Sequence, residues 1–131
     1  MKIEEQVLSR EQMAHLVELS VDTSDASMMW VSYDAKGGTG RRYLTINNDM
    51  SRKIAGMMNG VIGSFVPTYT IGDLIEKLPK DIEGSCLDIN YIYSEIVYKD
   101  ILHYDFEGVG LLNTLYAVLC WVAEKHNELI K

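Results

Sequence analysis

From about Val109 onward, apolar residues recur at Leu112, Leu115, Tyr116, Leu119, Val122, Ala123 and His126, an i, i+3, i+4, i+7 stripe held over about four turns. A helix with such a stripe must bury it, so the remainder of the chain has to supply a surface for that face. The run is broken by Asn113 and Thr114, and no window reaches the roughly 18 apolar residues of a membrane span. This is a core helix, and it organises the rest of the reading.

Two shorter helices announce themselves by their caps. Ser9-Arg10-Glu11-Gln12 is a capping-box pattern, and Met13, Leu16 and Val17 share a face behind it, so a helix is expected to about Ser20. On that helix His15 falls with Glu11 and Glu18, away from the apolar face, and is expected to be exposed. Thr70-Ile71-Gly72-Asp73 is a second cap, with Leu74, Ile75 and Leu78 as the apolar face and Pro79 as the stop. Asp73 with Lys77 and Glu76 with Lys80 stand at i, i+4 in the favourable order and predict ion pairs on a solvated face.

Strands fill the intervals. Met28 to Tyr33 and Arg41 to Asn47 flank Gly37-Gly38-Thr39-Gly40, which predicts a β-hairpin with a glycine loop. Ser85 to Tyr104 is rich in Tyr, Ile and Val and predicts two more strands, with Asn90 and Lys99-Asp100 as competing turn positions. Between the hairpins, Asp49 is a candidate cap for a short helix carrying Ile54, Met57 and Met58, interrupted by Gly56, Gly60 and Gly63. The expected class is therefore α+β: an antiparallel sheet of about four strands from two hairpins, with the long C-terminal amphipathic helix and two shorter helices packed on it. A chain of 131 residues suits one domain, 1–131.

Chemistry is sparse. The glycine loop lacks the GxxxxGK[ST] of a P-loop and joins two strands, and no GxGxxG, CxxC, HExxH or GxSxG occurs. Cys120 and His126 stand too far round one helix to share a metal ion. A Cys86 nucleophile would need His103 as its base, brought near by the hairpin. His103-Tyr104-Asp105 alone is a chance-level pattern. These features predict no enzyme, no cofactor and no metal. The polar start Met1-Lys2-Ile3-Glu4-Glu5-Gln6 does not read as an export signal, which predicts a cytoplasmic protein with reduced cysteines.

Two surfaces stand out. The first is on the last helix, where Trp121 falls beside Ala117 and Glu124, on the side away from the apolar stripe. Tryptophan there either packs beneath another element or meets a partner, since it is enriched at binding hot spots. The second is a basic island: residues 35–60 carry Lys36, Arg41, Arg42, Arg52 and Lys53 against one acid, in a chain of net charge −7. Five cations could hold a nucleic-acid backbone by a salt-sensitive contact. Overall acidity, by contrast, disfavours non-specific binding to nucleic acid or to an anionic membrane.

Tyr69-Thr70-Ile71-Gly72-Asp73-Leu74-Ile75-Glu76-Lys77-Leu78-Pro79, a Tyr-rich hairpin, and Leu111-Leu112-Asn113-Thr114-Leu115-Tyr116 leading to Leu119-Cys120-Trp121 form one structural motif. Over about residues 69–128 it resembles small proteins of gut-bacterial prophages and mobile elements, a family with no assigned activity. Residues 1–68 depart from that pattern. The resemblance implies accessory cargo that acts by binding. The expectation is a non-enzymatic accessory protein working through protein–protein contact or self-association, a homodimer included. The alternative is a nucleic-acid-binding accessory protein using the basic island at residues 36–53.

Overall fold

In a computed structural model of the chain, the described residues are 3–34, 40–53 and 64–130. After a short 3-10 turn at Ile3–Gln6 come α1 (Arg10–Glu18), β1 (Met28–Asp34), β2 (Gly40–Ile46), β3 (Ser64–Thr68) and α2 (Ile71–Lys77). Then follow β4 (Asp81–Ile82), β5 (Ser85–Asn90), β6 (Glu95–Tyr98), β7 (Leu102–Asp105), α3 (Leu111–Lys125) and a closing 3-10 turn at Asn127–Leu129. The class is α+β, with antiparallel pairing throughout.

Both capping boxes form as the sequence requires. The Ser9 hydroxyl accepts the Gln12 N–H while the Gln12 side chain accepts the Ser9 N–H, and Thr70 and Asp73 do the same for α2. Of α1, Met13 and Leu16 are buried as expected, whereas Val17 is exposed. The buried arc turns instead toward Gln12, Leu19 and His15, because α3 lies along that side.

The strands divide into two sheets. One is three-stranded in the order β2-β1-β3, the other four-stranded in the order β4-β5-β6-β7. The expected four-stranded antiparallel sheet is present, but it is built wholly from residues 81–105. The first hairpin belongs to the other sheet, where β3 pairs with β1 in the register Trp30↔Val66. Asn90 and Lys99-Asp100 are not rival turns. Both are used, and Ser85 to Asp105 therefore makes three strands where two were expected. Asn90 closes the first turn by accepting the Ile92 and Tyr93 N–H groups on its side-chain oxygen, at 2.9 and 3.1 Å. Asp100 serves the second by adopting positive φ.

Residues 49–53 are helical. Their cap is Asn48 rather than Asp49: its side-chain oxygen accepts the Ser51 N–H at 2.7 Å. The glycine loop and the expected continuation through Ile54, Met57 and Met58 lie outside the described residues.

The main core gathers around α3. Leu115, Val118, Leu119 and Val122 pack with Met13 and Leu16 of α1, Leu74 of α2, and Ile96 and Tyr98 of β6. Met29 and Val31 form a small cluster of their own on the three-stranded sheet. The N-terminal segment stitches the parts together. Leu8 donates its N–H to the Tyr69 carbonyl, and its own carbonyl accepts from the Thr68 hydroxyl and the Trp30 indole. A buried carbonyl with two donors is fully satisfied, so ordering this segment leaves no polar group stranded.

Candidate functional site

Among the described residues, the strongest concentration of exposed apolar surface sits at the turn between β5 and β6. Tyr91, Ile92 and Tyr93 are 65, 88 and 70% exposed. Large apolar side chains normally gain from burial, and three in succession at a tip do so only against something else. The tip is constructed rather than loose. Asn90 holds the backbone from one side, the Phe106 N–H donates to the Ser94 carbonyl at 2.8 Å, and the Phe106 ring meets Tyr91 edge-on at 6.3 Å. The loop after Phe106 adds Val109, also exposed. Acids lie on the strands and loop beside this surface. Glu95 and Asp105 stand opposite one another across β6 and β7, Asp88 lies on β5, and Glu107 follows Asp105. His103 Nε2 is 2.7 Å from Glu95 Oε2 and moderates part of that charge when protonated.

Sequence reading reached these residues as strand formers and did not single out the tip. Alternation assigns faces within a strand, but the length of a turn, and hence which side chains project from it, depends on local hydrogen bonding by Asn90.

The residues singled out in advance are placed as follows. Trp121 is partly buried against the main core, with its ring 5.3 Å from that of His126. Ala117 is partly buried and Glu124 exposed. His126 is the C-terminal cap residue of α3, its N–H on the Val122 carbonyl, which brings its ring onto Trp121. Trp121 thus has an intramolecular neighbour that periodicity alone did not supply, and it stands apart from the strongly exposed apolar side chains.

Of the basic island, Arg52 and Lys53 lie in the helical stretch after β2. Arg52 bonds to Asp49 at 3.0 Å and to the Asn47 side chain, and Lys53 is exposed. Arg41 and Arg42 stand on β2 opposite Tyr33 and Ser32 of β1, and Lys36 lies outside the described residues. On and just after the same strand, Tyr43, Ile46 and Met50 are exposed.

The two expected helical ion pairs of α2 do not form. Asp73 Oδ2 is occupied by the Thr70 N–H, the Ser27 N–H and the Ser27 hydroxyl, at 3.0, 3.0 and 2.7 Å. Lys77 therefore turns to Asp25 Oδ2 and the Asp22 carbonyl, each at 2.9 Å, and Lys80 bonds to the Ile75 carbonyl. The Tyr69 hydroxyl joins this group at 2.6 Å from Asp25. Burial, with the neighbouring Asp25, pushes the Tyr69 phenol well above its ordinary range.

His15 is not exposed as expected. Its Nδ1 lies 2.6 Å from the Tyr116 hydroxyl and 3.7 Å from the Cys120 sulfur. Burial pushes the Cys120 thiol up, so it is held protonated, whereas nucleophilic thiol chemistry needs the opposite shift. Cys86 is exposed on β5, and β6 separates it from β7, where His103 is engaged with Glu95. The suggested Cys86–His103 pair is therefore not assembled. No disulfide joins the two cysteines. Among the described residues no three His, Cys, Asp or Glu side chains are grouped to hold a metal ion, and no helix is long and apolar enough to cross a membrane.

No family model, curated protein or solved structure matches this chain.

Proposed function

We propose that this protein acts without catalysis, as a cytoplasmic accessory protein that works through protein–protein contact. The single observation behind this reading is the constructed apolar tip Tyr91-Ile92-Tyr93, with Val109 in the adjoining loop. Aromatic residues on a pre-ordered turn lose little conformational entropy on binding, which makes them efficient anchors. The resemblance of residues 69–128 to small proteins of prophages and mobile elements supports the same accessory role.

The test is a tagged pull-down from host lysate with mass spectrometry, repeated after nuclease treatment and with Ile92→Asp. The expected result is a stoichiometric protein that survives nuclease and is lost from the Ile92→Asp sample. Capture that disappears on nuclease treatment and persists in Ile92→Asp would replace this reading with nucleic-acid binding at Arg41, Arg42, Arg52 and Lys53.

A further inference from the structure

The apolar tip adjoins a sheet face charged with one sign. In the four-stranded sheet, Asn90, Glu95 and Asp105 stand in one cross-strand row, and Asp88, Val97 and His103 in the next. Alternation along each strand puts both rows on the same face. The opposite face carries Leu87, Ile89, Ile96, Tyr98, Leu102 and Tyr104, which pack into the main core. The outer face therefore meets the tip with Glu95 and Asp105, and exposed Asp88 lies just behind them. No Lys or Arg stands in β4, β5, β6 or β7, and Lys99, in the turn at the far end of β6, is the one Lys or Arg between Lys80 and Lys125. Phe106, which Tyr91 meets edge-on, packs instead with the core.

We infer that the tip is received by a different protein, in an apolar pocket bordered by Lys and Arg on the side that meets the outer face of the sheet. This rests on the contact reading above and names the chemistry of the partner. A projecting side chain such as Ile92, 88% exposed, is buried only by a concave apolar seat. Asp88 stands two positions before Asn90, about 7 Å back along the strand, so a surface that seats the tip also covers the carboxylates beside it. Those carboxylates favour a rim of opposite charge and oppose one of their own sign. Two tips in contact would set acid against acid, and two copies of a chain of net charge −7 repel one another as wholes. A nucleic-acid backbone or an anionic membrane carries the same repulsion. Arginine suits the site best, because one guanidinium can pair with a carboxylate and stack on a tyrosine ring.

The partner's own contact residues can be read directly. The photo-cross-linker p-benzoylphenylalanine is placed in the full chain at Tyr93, 70% exposed, and activated in nuclease-treated host lysate. Mass spectrometry then identifies the cross-linked segment, in which Lys and Arg are expected to outnumber Asp and Glu. The captured protein is purified and its affinity for the full chain measured by titration calorimetry. Between ~0.05 M and ~0.5 M salt the affinity is expected to fall about tenfold or more. Asp88→Lys/Glu95→Lys reverses the outer face and is expected to lose a similar factor at the lower salt. Glu18→Lys/Glu76→Lys makes the same change in net charge at exposed positions away from the sheet, and is expected to bind as the unsubstituted protein does. Circular dichroism verifies that each variant is folded.

A cross-linked segment in which acids match or outnumber Lys and Arg, an affinity indifferent to salt, or a reversal at Asp88 and Glu95 no more harmful than the one at Glu18 and Glu76 would overturn the inference. So would a cross-link to a second copy of this chain. In each of these cases, loss of capture in Ile92→Asp would leave the contact reading standing. Capture retained in Ile92→Asp, or no cross-link from position 93, would end both.

Discussion

The Tyr116 hydroxyl lies 2.6 Å from Nδ1 of His15, joining α3 to α1 across 101 positions of sequence. The rings meet edge-on at 6.0 Å, and Gln12 reaches Asn113 at 3.0 Å one turn away, so the two helices are held by a polar seam beside their apolar contact. A polar seam fixes the rotation of one helix against the other, which apolar packing alone tolerates more loosely. Burial, together with Cys120 and Glu18, pushes the Tyr116 phenol up to about 12.

Removing this hydroxyl leaves His15 Nδ1 with the more distant Cys120 sulfur, at 3.7 Å. Tyr116→Phe is expected to cost about 1 kcal/mol in urea unfolding. His15→Ala in the Tyr116→Phe background should cost less than in the unsubstituted protein, and equal costs would show that the two side chains are not coupled.

Three tyrosines tie stability to alkaline pH. Burial raises Tyr98 as well as Tyr69 and Tyr116 above the ordinary value of 10.0. The folded state then binds their protons more tightly than the unfolded state does. Stability from this source is fully present below about pH 10 and is lost as pH rises beyond it toward the folded values. Base titration followed by circular dichroism should show unfolding begin there, and Tyr98→Phe should flatten the slope.

Asp73 carries more than a helix cap. One carboxylate oxygen receives three donors and links α2 to Ser27, at the entry of β1. Asp73→Ala is expected to cost about 2 kcal/mol, the upper end for a cap. Ser27→Ala should cost less, because the Ser27 backbone N–H still reaches the same oxygen. Thermal unfolding of the two variants makes the comparison.

Ile92 and Ile96 are four residues apart and have opposite fates. Ile92→Asp should change stability by no more than about 0.5 kcal/mol, since the side chain is 88% exposed. Ile96 is fully buried on β6, and Ile96→Asp should abolish cooperative unfolding, because an unpaired charge would enter the core.

Trp121→Ala separates packing from recognition on α3. With the ring packed against His126 and the main core, the substitution is expected to lower stability by about 2 kcal/mol. Capture of the protein partner should be retained at temperatures where the variant is folded. Capture lost from a folded Trp121→Ala protein would return the partner surface to Trp121, Ala117 and Glu124.

Local signals in the sequence carried far. Ser9 with Gln12 and Thr70 with Asp73 locate two helix starts, because a capping box is completed within four residues. The stripe from Leu112 to Ala123 identifies the central helix, because burying it is the main gain available to that segment. Alternation around Leu44 and Ile46 locates β2, and the α+β class follows from the order of these elements.

Tertiary structure decided whatever depends on which surfaces meet. The division into two sheets required β3 to find β1, a pairing between segments that neither periodicity nor turn chemistry connects. His15 left the solvent because α3 covers the side of α1 that a wheel of α1 alone assigns to water. Lys77 abandoned Asp73, four residues away, once Ser27 had taken that carboxylate and Asp25 had come within reach. The exposed tip is the same case reversed: Tyr91, Ile92 and Tyr93 have the composition of a buried strand, and only the turn at Asn90 leaves them outside. A sequence states each residue's own preferences, whereas burial is a property of pairs of surfaces and is settled only when distant segments compete for the same neighbours.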